Sequence, residues 1–318
     1  MTHLPELRQD LEQLNFEVIR ELGTGEYGRV VLAFDRTHKA RVAVKLVARD
    51  KARGAPPSIL REVALLREID HPQIIKLHDV VFSAKYICLL YEPADCDLHR
   101  LIAGRQRLPA RKVTDIMYML FQGLAELHER GILHRDLKPA NVLVKRGERG
   151  VKVKIGDFGL SRATDCPAQA YASEVVSLWY RAPELLLEST QYDEKIDIWS
   201  AGCILAELLG CCVFFRGRSV SSQCEEILKV IDLRTSEAGL SSLQSLPGFE
   251  AFRALGQRIR GKGLEKLCGG DANYLSLVSS CLELEPSRRP TAHQALAHPL
   301  FAEKDWGSLD LDRLLFSA

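Results

Sequence analysis

Apolar and polar positions change rhythm along this chain of 318 residues. Residues 16–22, 30–35 and 41–47 are short runs rich in β-branched side chains, and the first two flank a glycine turn, so they predict strands. From 58 to 69 the apolar residues recur at Ile59, Val63, Leu66 and Ile69. That is helical spacing, and Pro56-Pro57-Ser58 supplies a start signal. Two more apolar runs, 74–82 and 86–91, predict strands. After Glu92-Pro93-Ala94 helical patterns dominate from Leu98 onward, among them 113–130, 196–209 and 274–284. A strand-rich part followed by a larger helical one predicts an α+β chain of two lobes joined near 92–96. The stretch 235–270, rich in Ser, Gly and basic residues, predicts loops with short helices. The chain has no internal repeat and no low-complexity tract.

Composition narrows the class. Hydrophobic residues make up 46% and charged residues 27%, as in an ordinary globular protein. Lys+Arg at 43 nearly cancels Asp+Glu at 42, so overall charge suggests neither a nucleic-acid nor a membrane partner. Nine scattered cysteines without CxxC spacing or a histidine cluster argue against zinc. Their odd number fits buried thiols in a reducing compartment better than a disulfide framework. The amino terminus is polar and carries acids, unlike a signal peptide, and Thr2 is no myristoylation acceptor. With no run of roughly 18 apolar residues, the expectation is a soluble protein of nucleus or cytoplasm.

Candidate chemistry begins at Gly23-Thr24-Gly25-Glu26-Tyr27-Gly28. Glycines let backbone N–H groups approach phosphates closely, although the same spacing marks dinucleotide folds and ligand-free hairpins. A dinucleotide site needs a helix next, whereas Arg29-Val30-Val31-Leu32-Ala33 is strand-like. Val42-Ala43-Val44-Lys45 then puts a lysine in an apolar strand, where it can neutralise phosphate charge, and Glu62 is the natural carboxylate to hold it. The acid of His134-Arg135-Asp136-Leu137-Lys138-Pro139-Ala140-Asn141 can orient the proton of an attacking hydroxyl. Lys138 can offset charge on a transferring group and Asn141 can ligate a metal. Asp157-Phe158-Gly159 adds a carboxylate suited to magnesium, and Ala182-Pro183-Glu184 closes the segment. Phosphoryl transfer needs in-line positioning and dispersed negative charge, which these residue types supply.

This ordered set resembles the protein-kinase signature over about residues 16–302. The resemblance implies a two-lobed kinase fold: a small antiparallel N-lobe sheet with one helix (16–92), a hinge (92–96) and a larger helical C-lobe (97–302). Residues 1–15 would then be an extension and 303–318 a tail. It also implies a transferase that uses ATP with Mg2+. Lys45, Glu62, Asp136 and Lys138 would be catalytic, and Asn141 and Asp157 would hold the metal. Around ATP it implies Leu22, Gly23, Gly25, Gly28, Val30, Ala43, Lys45, Tyr91, Glu92, Ala94, Asp97 and Leu143. Tyr91 is placed as the bulky residue behind the base, Glu92 and Ala94 as hinge backbone, and Asp97 at the ribose. Pro93, which has no N–H, is unusual in a hinge.

A finer likeness is to the cyclin-dependent kinases. Trp179-Tyr180-Arg181-Ala182-Pro183-Glu184 carries Arg181, which in that group shapes a pocket for proline after the phosphorylated residue. Lys138 and Ser177 resemble the pair that marks serine/threonine specificity. Pro56-Pro57-Ser58-Ile59-Leu60-Arg61-Glu62 is similar to the helix that docks a cyclin, Asp197 to the anchor of the catalytic loop, and Glu184 and Arg289 to the C-lobe ion pair. The mechanism so implied has helix 58–69 displaced in the free chain until a cyclin-type partner pushes Glu62 onto Lys45.

Departures qualify the likeness. Arg61, Arg135 and Arg162 match three arginines that grip a phosphothreonine, but the matching threonine is Ala172. Either neighbouring Ser173 is a shifted phosphosite or a partner organises the segment without phosphate. Mediator-associated cyclin-dependent kinases resemble the second case, and resemble this chain at Leu89-Leu90-Tyr91-Glu92 and 134–144. No Thr-x-Tyr lies between Asp157 and Glu184, against an ordinary MAP kinase. Glu26 stands where an inhibitory threonine is common, which excludes a paired Thr–Tyr switch and leaves Tyr27 as either a site of inhibitory phosphorylation or a packing residue of the loop. Beyond Phe215-Arg216-Gly217 the match is poor. Two rival readings stand beside a Ser/Thr-Pro-directed kinase: a pseudokinase scaffold and a kinase-like enzyme of small molecules. The first usually lacks a catalytic group and the second lacks Ala-Pro-Glu and long C-lobe helices, all of which are present here.

Overall fold

Alternation along the strands sorts the small lobe into two apolar layers. The computed structural model describes residues 4–25, 28–49, 55–104, 107–147, 150–163, 177–233 and 240–302. After helix α1 (Leu4–Glu12), β1 (Phe16–Gly25), β2 (Gly28–Asp35) and β3 (Ala40–Ala48) run antiparallel, and β4 (Leu77–Phe82) and β5 (Tyr86–Tyr91) complete the sheet in the order β1-β2-β3-β5-β4. Ala43 pairs with Tyr91 and Lys45 with Leu89, so these four share one face. The intervening Val42, Val44, Leu46, Cys88 and Leu90 share the other.

That second face explains α1. Leu7 and Leu11 are buried and join Val31, Ala33, Val42, Val44, Leu46, Cys88 and Leu90 in a cluster separate from the main core. Asn15, at φ 64, turns the chain from α1 into β1, a conformation asparagine tolerates. Residues 4–12, read from sequence as part of an extension, therefore cover the sheet. The signal was present, because Leu7 and Leu11 are one helical turn apart.

The first face receives helix α2 (Pro57–Glu68), which buries Ile59, Glu62 and Leu66. The strand expected from residue 74 starts at Leu77 instead. Ile74 and Ile75 are buried where the lobes meet, and Ile75 N–H donates to Ile155 O at 2.9 Å while Ile155 N–H donates to Gln73 O at 2.8 Å. Their backbone groups are thus taken by the large lobe rather than by β5.

Short β6 (Cys96–Asp97) and α3 (Leu98–Ala103) lead into α4 (Ala110–Glu129). The segment that carries Asp136, Asn141 and Asp157 follows, with β7 (Ile132–Leu133), β8 (Val142–Gly147), β9 (Gly150–Ile155) and β10 (Arg162–Ala163). Gly123 of α4 lies under β9, where a Cβ would stand 2.8 Å from Ile155 Cδ1. Then come α5 (Pro183–Leu186), α6 (Lys195–Gly210), α7 (Val220–Leu228), α8 (Phe249–Arg258), α9 (Ala272–Cys281) and α10 (Ala292–Leu296). Helix α6 is buried on every side from Ile196 to Leu209 and forms the axis of the large lobe. Glu184 and Arg289 meet beside it at 2.7 and 2.8 Å, with the guanidinium 5.0 Å from the centre of the Trp199 ring. The described part of the 235–270 stretch, from 240 on, holds the ten-residue α8 between turns, as its composition suggested. Among the described residues the cysteines are free thiols, and burial pushes those of Cys88, Cys224 and Cys281 up to about 12.

Leu11→Ala should lower unfolding stability by about 2–4 kcal/mol, the usual cost of a leucine-sized cavity. Denaturant unfolding checks this, and a loss below about 0.5 kcal/mol would show that α1 adds no packing.

Candidate active site

Lys45 lies on the β3 face that looks toward α2. Its Nζ donates to Glu62 Oε2 at 2.8 Å and Oε1 at 3.2 Å, and to Asp157 Oδ1 at 2.9 Å. Glu62 faces it because Ile59, Glu62 and Leu66 recur on one side of the helix. Burial opposes the charge on Lys45, but the carboxylates of Asp157 and Glu62 outweigh it and raise its pKa. Burial likewise opposes ionisation of Asp157, and the Lys45 ammonium overrides it, holding that carboxyl below its ordinary value. The displaced helix implied by the sequence resemblance is not what is found: α2 is docked, with Glu62 buried and bonded. A third bond contributes, from Tyr91 Oη to Glu62 Oε1 at 2.6 Å.

The loop 134–141 is held from below. Asp197, in the first turn of α6 and 1% exposed, accepts His134 N–H at 2.8 Å, Arg135 N–H at 2.9 Å and His128 Nε2 at 3.1 Å. Those bonds secure Arg135 at φ 71, a left-handed conformation that costs a non-glycine residue about 1 kcal/mol or more. His134 donates from Nε2 to Gly156 O at 3.0 Å and accepts Asp136 N–H at Nδ1 at 3.3 Å. Phe158 is fully buried, edge-on to His134 at 5.2 Å.

On this base Asp136 Oδ2 accepts Lys138 Nζ at 2.7 Å and Asn141 Nδ2 at 3.1 Å. Asn141 Nδ2 also donates to Asp136 O at 2.7 Å, so its side-chain oxygen is the atom left for a cation. Asp157, at φ 61, adds a carboxylate. Carboxylate and amide oxygens are the donors that Mg2+ accepts, and one or two protein ligands suffice where phosphates and water complete the shell. The residues therefore fit that ion. That no group of three or more His, Cys, Asp or Glu side chains is found among the described residues does not conflict with it.

The nucleotide-side residues assemble more unevenly. Leu22, Val30 and Leu143 are half-buried against the core beside Ala43. Gly28, at φ 134, passes so close to β3 that a Cβ would overlap Leu46 O at 2.0 Å. Gly23 and Gly25 belong to β1, while Tyr27 lies outside the described residues. In the segment expected to be the hinge, Glu92 N–H donates to Lys76 O at 3.1 Å. The Glu92 side chain turns away to Lys154 at 2.6 Å and Lys145 at 3.0 Å, a pairing that the sequence reading did not find. The Ala94 amide has no intramolecular acceptor among the described residues. Asp97 caps α3 by accepting Arg100 N–H at 2.8 Å, and Arg100 reaches back to Leu22 O at 2.5 Å.

The regulatory residues are less gathered. Arg61 is exposed and donates to Pro57 O in its own helix at 3.3 Å, and the Arg135 guanidinium lies 5.7 Å from the centre of the Tyr192 ring. For Arg162 and Ser177 only the backbone is described, and Ser173 lies outside the described residues. Arg181 lines a cavity with Arg135, Asp136, Tyr180 and Ser200. Past the point where the family pattern fades, Trp179 Nε1 donates to Gly217 O at 2.8 Å. Gln223 accepts Gly217 N–H at 2.8 Å and donates to Trp179 O at 3.1 Å. Sequence alone gives no signal for this network, because the burial of Gln223 appears only in the folded chain.

Comparisons agree with the geometry. The protein kinase domain family matches residues 16–301. Cell division control protein 2 homolog 3 of Trypanosoma brucei brucei is 40% identical over 289 residues, covering 89% of this chain and 90% of that protein. No helix among the described residues is long and apolar enough to cross a membrane.

Asp197→Ala should cost about 2–5 kcal/mol, since it strands two buried backbone donors. Burial opposes the charge on Asp197, but His128 and the backbone donors hold its pKa below the ordinary value. Its stabilisation is thus present above the unfolded value of about 3.9 and lost as pH falls through the depressed one. A stability profile from pH 7 to pH 2 should show a shallower acid limb in the variant, and an unchanged limb would refute this role.

Proposed function

The chain belongs to the protein kinase family, in its cyclin-dependent-like branch, and from that premise we propose that it transfers the ATP γ-phosphate to serine or threonine hydroxyls followed by proline. The observation that carries the reading is Lys45 holding Glu62 and Asp157 together at 2.8 and 2.9 Å, because this places cation and metal-binding carboxylate at one point in the cleft.

In this mechanism Gly23, Gly25 and Gly28, with the carbonyl of Glu92 and the amide of Ala94, bind the nucleotide. Leu22, Val30, Ala43 and Leu143 enclose the base, Tyr91 closes the space behind it, and Asp97 reaches the ribose. Lys45 orients the phosphates through its charge. Asp157 and Asn141 would hold Mg2+, which when bound would supply positive charge to offset that of the phosphate oxygens. Asp136 has one carboxylate oxygen fixed by Lys138 and Asn141. Its other oxygen is left to align the attacking hydroxyl and receive its proton. Lys138 offsets charge on the transferring group. The protein thus contributes positioning and preorganised charge, the main terms for this reaction.

Arg181 and Ser177 carry the assignment of proline and of serine/threonine over from the family. A cyclin-type partner is supported by Leu60, a large apolar side chain 59% exposed on the helix that carries Glu62. Arg61, Arg135 and Arg162 would respond to a phosphate at Ser173, and Tyr27 to modification in the glycine loop.

The purified chain with ATP and Mg2+ should label a Ser-Pro peptide, alone or with a candidate cyclin, and an Ala-for-Pro peptide should be labelled far less. Asp157→Asn should reduce the rate at least about 100-fold. Equal labelling of both peptides would overturn proline direction, and no transfer with any cyclin would overturn the kinase reading. Leu60→Asp should abolish stimulation by a cyclin while leaving the partner-free rate within about twofold.

A further inference from the structure

Helix α2 buries Ile59, Glu62 and Leu66, with Val63 and Leu65 partly buried against the core; its N-cap Pro56 offers no side-chain hydrogen bond, and Arg61 is exposed. Leu60, the residue between Ile59 and Arg61, is 59% exposed. Apolar packing seats the helix, and the bonds that Glu62 makes tie its buried face to the sheet and set the geometry of Lys45.

Those bonds have two sources of different kinds. Lys45 is shared: its Nζ also binds Asp157, and phosphates of a nucleotide compete for the same charge. Tyr91 is not shared. Its side chain projects from β5, between β3 and β4, where its backbone is in register with Ala43 on one side and Leu77 on the other. The residue is 7% exposed, and Oη donates to Glu62 Oε1 at 2.6 Å. Burial, followed by the nearby Glu62 carboxylate, pushes the phenol pKa well above 10, so the hydroxyl keeps its proton and is a donor at any working pH. A buried phenol must find a partner, and here the partner is a carboxylate, which makes the bond charge-assisted.

We propose that the Tyr91 hydroxyl is a positioning group for phosphoryl transfer, a latch from the rigid sheet that fixes the Glu62 carboxylate and keeps α2 docked independently of nucleotide. It occupies Oε1 and leaves Oε2 to Lys45, which is the closer of the two Lys45 contacts at 2.8 Å. The bulk of the ring behind the base and the hydroxyl's bond are separate properties, and phenylalanine retains the first without the second. The latch also sets how much work is left to a partner. A chain whose α2 is already tied to its sheet needs less from outside to reach the arrangement in which Lys45 is poised.

The inference rests on the kinase reading for its catalytic consequence, but the tie between β5 and α2 can be measured without catalysis. Two readouts are compared in wild type and Tyr91→Phe: kcat and KM for ATP with the Ser-Pro peptide, and amide hydrogen exchange across α2 in the nucleotide-free chain. The latch predicts about a tenfold lower kcat with KM for ATP changed less than about twofold, and exchange across 62–68 faster by a similar factor. The same change made in a Glu62→Ala background should have no further effect on either quantity, because the acceptor is gone. An unchanged exchange rate, an unchanged kcat, or an equal loss in both backgrounds would each overturn the proposal. If wild type transfers no phosphate, the kinase reading fails, and the exchange comparison still decides whether the hydroxyl holds α2.

Discussion

The ammonium of Lys45 stands between Glu62 from the small lobe and Asp157 from the large one, and most of the other arrangements in the molecule bear on keeping it there. Buried ion pairs contribute little net stability, since desolvation offsets much of their attraction. What they do well is select one geometry, because each charge left unpaired would be costly. Here that geometry joins a strand, a helix and a loop from two lobes. The two faces of the small sheet divide the task. One face, covered by α1, supplies rigidity, and the other presents Lys45 and Tyr91 to α2.

The large lobe meets the same demand with a buried frame. Helix α6 is apolar on all sides yet carries Asp197 at its first turn, where three donors converge on its carboxylate. That arrangement turns a helix whose burial is driven by apolar area into a fixed point for the catalytic loop. The Glu184–Arg289 pair and the Tyr180–Glu207 bond at 2.6 Å hold the adjoining segment to the same axis. Asp136 and Lys138 thus occupy defined positions outside any regular element, and Asn141 ends a single 3₁₀ turn, Pro139–Asn141. Their alignment comes from polar bonds to buried groups, which is the preorganisation that phosphoryl transfer requires.

Some roles implied by family likeness meet local chemistry that modifies them. Asp97 spends one oxygen on capping α3, and Glu92 directs its side chain to Lys145 and Lys154 rather than to the cleft. Arg61 and Arg135 have other partners, a carbonyl of α2 and the Tyr192 ring. These are physical requirements of a folded chain, in which buried polar groups take the bonds within reach. They show why residue type at a matching position indicates a capability, whereas the bonds indicate how that capability is directed.

Amino-acid order by itself determined the strands at 16–22, 30–35, 41–47 and 86–91, the long helices and the ordered chemical residues from Gly23 to Glu184. These depend on local period and on side-chain chemistry, both readable from short windows. Tertiary structure alone decided that α1 belongs to the sheet, that Ile74 and Ile75 bond across to Ile155, and that α2 is docked. It also decided that the Tyr91 hydroxyl ends on Glu62, 29 residues away. Each of these joins segments distant in the chain through the unmet demand of a buried surface or a buried polar atom. No periodicity encodes that demand, because it exists only once the layers have come together.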